Sequence, residues 1–194
     1  MKIIKLNGGN ILKDPIVEII GKRGEDPYLW IGTDSEDMRC FGTISLVDIL
    51  KFLKGEQMNL TEHFNLEEML ESKTAKRYNI EEQSSPPDEV IKNLTKLCIY
   101  VLEPLRIALG PIHISSGWRC PRLNKLVGGV PNSQHVTGEA ADAEFYGEGG
   151  NQAIIDKIKE LKLPFDQMID ESNLAWVHLS YSERAGNRRQ VLKI

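Results

Sequence analysis

Of the four histidines in the chain, His63, His113, His135 and His178, two stand where metal chemistry is possible. His135 follows Ser133-Gln134 and precedes Val136-Thr137-Gly138, and Asp142 comes shortly after. Gly138 lets the chain turn tightly and Ala140-Ala141 keep bulk away, so a loop imidazole and a strand carboxylate can converge. His178 lies in Trp176-Val177-His178-Leu179-Ser180. In a strand that alternation places Trp176, His178 and Ser180 on one face. Two imidazoles and one carboxylate suit zinc, because three protein ligands leave the fourth tetrahedral position for water. Zinc lowers the pKa of that water and polarises a carbonyl. On residue types alone a structural role is the commoner reading, since a histidine in an apolar strand is more often packed than ligating.

These residues need elements to hold them. Ser84-Ser85-Pro86-Pro87-Asp88-Glu89 reads as a helix start, with prolines at the first turn and acids at the positive end. Val90, Ile91, Leu94, Leu97, Cys98, Val101, Leu102 and Leu105 then recur at three and four, predicting an amphipathic helix from about Asp88 to Ala108. Gly110-Pro111 ends it, and Ile112 to Ser116 reads as a short strand. Pro121 to Leu126 is a helical turn. Ala140 to Phe145 alternates as a strand, with Asp142 and Glu144 on one face. Gln152 to Leu161 is an amphipathic helix, and Phe165–Ile169 with Trp176–Tyr181 form a β-hairpin. The expectation is an α+β fold, with a small antiparallel sheet carrying the metal residues and helices packed against it. Residues 1–57 read as a separate small β-rich module of unknown role, with strands near 3–6, 15–20 and 28–32 and a helix capped by Ser45. Residues 58–194 form the domain with the chemistry.

Composition narrows the function. Hydrophobic residues make up 41%, enough for a packed core. The net charge of −4 argues against a non-specific nucleic-acid binder. The basic tail of Arg184, Arg188, Arg189 and Lys193 lacks interleaved aromatics for base stacking and reads as a solvated end. Cys40, Cys98 and Cys120 contain no CxxC pair, which fits reduced thiols in a cytosolic protein. No apolar run reaches a membrane span, and the N-terminal apolar run breaks too early for a signal peptide.

The run Ser116-Gly117-Trp118-Arg119, then Asn124, then Gly128 to Asp142 (GGVPNSQHVTGEAAD) resembles the central block of the M15 group of zinc peptidases. This is the D-alanyl-D-alanine carboxypeptidase family, and the small, often phage-associated members are the nearest in pattern. Trp176-Val177-His178-Leu179-Ser180 resembles the family's closing motif, and the similarity runs over roughly residues 58–181. The resemblance implies a fold like that of the Hedgehog-type and D-Ala-D-Ala peptidase domains. It implies zinc held by His135, Asp142 and His178. Arg119 matches an arginine that helps hold substrate, a role its planar donor fork suits. Ser116 matches the family's serine, and Trp118 lines the cleft or packs beneath Arg119.

Many members place an acid three residues before the last histidine, where this chain has Ala175. The general base is therefore assigned to Glu171, with Asp170 as its rival, since neighbours in a strand face opposite ways. His113 is expected in the core or behind the ligands. The implied substrate is a peptidoglycan peptide, cut as a carboxypeptidase or an endopeptidase would. The implied setting is synthesis in a bacterial cytoplasm and release to the wall as a phage or prophage lysis enzyme. Two other readings remain open, a non-catalytic zinc module that binds wall peptides and a phage structural or assembly protein.

Overall fold

The computed structural model describes residues 16–20, 28–32, 39–43 and 58–194. The chain divides into two compact units, residues 1–58 and 59–194. In the first unit β1 (Ile16–Ile20), β2 (Tyr28–Gly32) and β3 (Arg39–Thr43) form an antiparallel sheet in that order. β1 and β2 fall on the two apolar runs expected there. The strand expected at 3–6 and the helix expected from Ser45 lie outside the described residues.

The second unit opens with two short helices. α1 (Leu66–Leu70) is capped by the Asn65 side chain and α2 (Lys73–Arg77) by that of Ser72, each satisfying an amide of the first turn. The long apolar-periodic segment follows as three joined pieces. α3 (Asp88–Leu97) passes through a π-helical turn at Cys98–Leu102 into α4 (Glu103–Leu109). Pro104 accounts for the wider turn, because it gives no amide to the carbonyl four residues back and its ring crowds that carbonyl. Gly110, at a φ of +92°, ends the segment in a conformation that favours glycine. β4 (His113–Ser116), α5 (Pro121–Leu126), β5 (Ala140–Glu144), α6 (Gly150–Glu160), β6 (Gln167–Glu171), β7 (Trp176–Ser180) and β8 (Gln190–Lys193) complete the unit.

The five strands lie in the order β4-β5-β7-β6-β8. The first four pair antiparallel, as expected, and β8 adds to the edge of β6 in parallel. β8 corrects the reading of the tail as a solvated end. Its backbone continues the ladder of β6, and Lys193 and the arginines before it find partners described below while remaining exposed. One sheet face is apolar: Ala141, Ala143, Met168, Val177 and Leu179 are fully buried there. They join Leu94, Leu97, Val101, Ile154 and Ile158 in one core, with α6 packed on β5, β7 and α4. The period of two along each strand sends the alternate residues to the opposite face. That face carries the candidate site.

Candidate metal centre

The sheet register assembles the site. Asp142 on β5 pairs with Ser116 of β4 on one side and with His178 of β7 on the other. Ile169 of β6 pairs with His178 in turn. Directly opposed residues in a ladder share a face, so Ser116, Asp142, His178 and Ile169 form one row across four strands. His135 reaches the row from the loop between α5 and β5. His135 Nε2 lies 3.1 Å from Asp142 Oδ1 and 3.1 Å from His178 Nδ1, and His178 Nδ1 lies 3.0 Å from Asp142 Oδ1. All three residues are buried, and together they could hold one metal ion.

The donor set fits zinc. Tetrahedral bonds of about 2.0–2.1 Å imply ligand separations of about 3.3 Å, close to this triangle. His135 Nδ1 lies 2.6 Å from the Gly117 carbonyl oxygen. A carbonyl only accepts, so Nδ1 carries the proton and the Nε2 lone pair is left facing the space shared with Asp142 and His178. Burial pushes the His135 pKa down, partly offset by Asp142, and keeps the imidazole neutral. Burial alone would raise the Asp142 pKa, yet its two imidazole neighbours hold it well below the carboxylate range. A neutral imidazole and an ionised carboxylate are the forms that ligate.

Arg119 closes the site from the side. Its Nη2 donates to Asp142 Oδ2 at 2.5 Å, and its Nε donates to Ser116 Oγ at 2.8 Å. Ser116 thus aims the guanidinium, and Arg119 binds the carboxylate oxygen that does not face the two histidines. The backbone ties the same segment to the ligand loop, since the Arg119 amide donates to the His135 carbonyl at 3.1 Å. Trp118 is buried, and its indole N–H donates to the Val136 carbonyl at 3.0 Å. Trp118 also borders the cleft, the first of the two placements expected for it.

Glu171 and Asp170 separate as neighbours in a strand must. Glu171 pairs with Trp176 and lines the cleft with Ile169 and His178. Asp170 points to the other face, accepts from the Leu174 amide at 2.6 Å and pairs with Lys193 at 3.0 Å. The turn joining β6 to β7 is tight: Ser172, Asn173 and Leu174 all have positive φ. The Asn151 amide braces it from α6, donating to the Leu174 and Ala175 carbonyls at 2.8 and 3.0 Å.

A cleft of about 1290 Å³ runs over this face and includes Ser116, Arg119, His135, Asp142, Glu171 and His178. It also contains residues that the sequence did not single out for the site, among them Glu144, Tyr146, Arg184 and Arg188. The alternation of β5 carried the signal for Glu144. The arginines were legible only as tail charge. His113 corrects its expected place: it is exposed at the cleft edge, stacked on Tyr146 with ring centroids 6.3 Å apart. His63 sits apart, bonded to Glu103.

The second unit is thus a small α+β domain with a buried His–Asp–His group, able to hold a metal ion, at the floor of an open cleft. The chain belongs to the Peptidase M15 family, whose profile matches residues 62–180. It is therefore a peptidase acting on a peptide substrate. No curated protein matches the chain. Among the described residues no helix is long and apolar enough to cross a membrane.

Proposed function

We propose that the protein is a zinc-dependent peptidase that hydrolyses a peptide bond in peptidoglycan stem or cross-link peptides. The observation that carries the metal is the triangle of His135 Nε2, Asp142 Oδ1 and His178 Nδ1, each side 3.0–3.1 Å. The family supplies the reaction class, and the wall substrate follows from the motif resemblance. Zinc bound there would polarise the scissile carbonyl and make water acidic near neutral pH.

The protein's own groups do the rest. Arg119 donates hydrogen bonds to a carboxylate or carbonyl of the peptide, held in place by Ser116 and Asp142. Glu171 takes the proton from the attacking water and passes it to the leaving amine, so no covalent enzyme intermediate forms. What supports Glu171 over Asp170 is its face. It sits in the cleft, one two-residue strand step from the Ile169–His178 pair, about 7 Å along the sheet. A glutamate side chain spans much of that distance. The reading as a non-catalytic module rests on Ala175, and an acid at 171 supplies what position 175 lacks.

The test is digestion of purified peptidoglycan by the zinc-loaded protein, read by mass spectrometry. Defined fragments are expected, absent after chelation and absent in Glu171→Gln, which should still bind zinc. Full activity in metal-replete Glu171→Gln would refute the assignment of the base. No cleavage by a folded, zinc-loaded protein would favour the binding-module reading.

A further inference from the structure

The family match ends at residue 180, yet the segment that follows reaches back to the loop that carries His135. Two buried carboxylates make the connection. Asp166, fully buried just before β6, receives four hydrogen bonds. Three come from Arg188, whose backbone amide and Nε donate to Oδ1 at 3.0 and 2.8 Å and whose Nη2 donates to Oδ2 at 2.6 Å. The fourth comes from Gln134, the residue before the ligand, whose Nε2 donates to Oδ2 at 2.9 Å. Glu139, also buried, accepts from Ser182 Oγ at 2.7 Å and Arg184 Nη2 at 2.8 Å. On the loop side Glu139 accepts from Thr137 Oγ1 at 2.7 Å. Both flanks of His135 are thereby tied to the tail, one through Asp166 and one through Glu139.

The loop needs such ties. Between α5 and β5 it has no helix or strand, so its position depends on individual hydrogen bonds. A ligand loop that is ordered before the metal arrives binds more tightly, because the ordering entropy is not charged to the binding step. A bidentate guanidinium is suited to this, since its rigid fork fixes direction as well as charge.

We propose that Arg188, seconded by Arg184, is a positioning residue for the metal centre: through Asp166–Gln134 and Glu139–Thr137 the tail holds His135 in its ligating place. This inference rests on the metal reading above but goes beyond the family pattern, because it assigns a task to residues outside the matched span. It also gives the exposed C-terminal charges partners in the fold.

The experiment measures zinc affinity by competition with a chromophoric chelator, and the visible absorption of the cobalt-substituted protein, in four variants of the full chain. Arg188→Leu is expected to weaken zinc binding roughly three- to tenfold, below the 10–100-fold typical of a partner bonded directly to a ligand. It should also change the cobalt bands, which a purely global loss of stability would leave alone in the folded fraction. Arg188→Lys keeps the charge opposite Asp166, so it should fold, yet it lacks the fork and should recover only part of the affinity. Arg184→Gln should give a smaller loss. Arg189→Ala is the control: Arg189 anchors the same tail to the Lys162 and Leu163 carbonyls and does not touch the loop. It should bind zinc as the unaltered protein does. Unchanged affinity and cobalt spectrum in both Arg188 variants would overturn the inference, as would an equal loss in Arg189→Ala. Failure of the unaltered protein to bind zinc would instead overturn the metal reading, and this inference with it.

Discussion

Gly117→Ala should damage the metal centre without touching a ligand. The Cβ of an alanine at 117 would stand 2.9 Å from Met69 Cα and 3.0 Å from its carbonyl carbon, with the Met69 carbonyl oxygen closer still. Ordinary contact begins near 3.4 Å, and all three atoms are backbone, so residues 116–118 must retreat by about 0.5 Å or more. The retreat also strains the bond from the Trp118 amide to the Met69 carbonyl, now 2.9 Å. Overpacking of this kind costs about 1–3 kcal/mol of stability. The sharper effect is on His135. The Gly117 carbonyl, 2.6 Å from His135 Nδ1, fixes which nitrogen carries the proton. A shift of half an ångström or more lengthens or breaks that bond. Losing such a partner typically lowers metal affinity 10–100-fold. The assay is zinc affinity by chelator competition on Gly117→Ala, beside Gly110→Ala. Gly110 has a φ of +92° and open space around its Cβ direction, so alanine there costs strain alone, far from the ligands. Zinc affinity in Gly117→Ala equal to that in Gly110→Ala would refute the reasoning, because the effect would then be stability and not orientation of His135.

Other outcomes follow from the same geometry. The hydrogen bonds from Arg188 hold the Asp166 pKa at about 2 against an ordinary 3.8. A depressed folded pKa contributes stability above the unfolded value and loses it as pH falls through the folded one. The stability difference between the unaltered protein and Asp166→Asn should therefore be full above pH 4 and close towards pH 2. It is worth about 1–2 kcal/mol once the solvent exposure of Arg188 is discounted. Denaturant titrations across that range check it, and a pH-independent difference would count against it. Leu94→Ala, in the centre of the core, should cost about 2–5 kcal/mol in urea unfolding while leaving zinc affinity intact in the folded protein. Free zinc at a hundredfold excess over its Kd should stabilise the folded protein by about 2.7 kcal/mol, raising the thermal midpoint by roughly 5–10 °C over the chelated form. Scanning calorimetry reads this directly, and equal midpoints would mean the triangle holds no zinc.

The sequence made the core helices and the metal strands legible because their signals are local. Val90, Leu94, Leu97 and Val101 recur with the period of a helix, and the alternation around Asp142 and His178 is that of a half-buried strand. The π turn was not legible, since helical periodicity survives one widened turn and only Pro104 marks it. β8 was missed for a different reason. Gln190 to Lys193 is short, with only Val191 and Leu192 apolar between polar ends, and it becomes a strand by pairing with the edge of β6. The tail charges looked solvated because their partners, Asp166 and Glu139, lie far away in sequence. Buried carboxylates of this kind cannot be told from surface ones by spacing alone.

The position of the acid shows what a motif leaves out. β7 begins at Trp176, so Ala175, where many relatives carry the acid, lies in the turn just outside the strand alternation. Glu171 lies inside a strand, paired with Trp176, and its face is set by the ladder that also sets the face of His178. Whether an acid can reach the cleft is thus a matter of register across the hairpin, not of distance along the chain from the last histidine. The three left-handed residues at 172–174 fix that register, and Asn151 and the Asp170 carboxylate hold their backbone. A one-residue insertion in this turn, even with every motif residue intact, should move Glu171 out of opposition to Trp176. It should abolish cleavage while zinc still binds, because His178 keeps its place beside β5 through the pairing of β7 with Asp142.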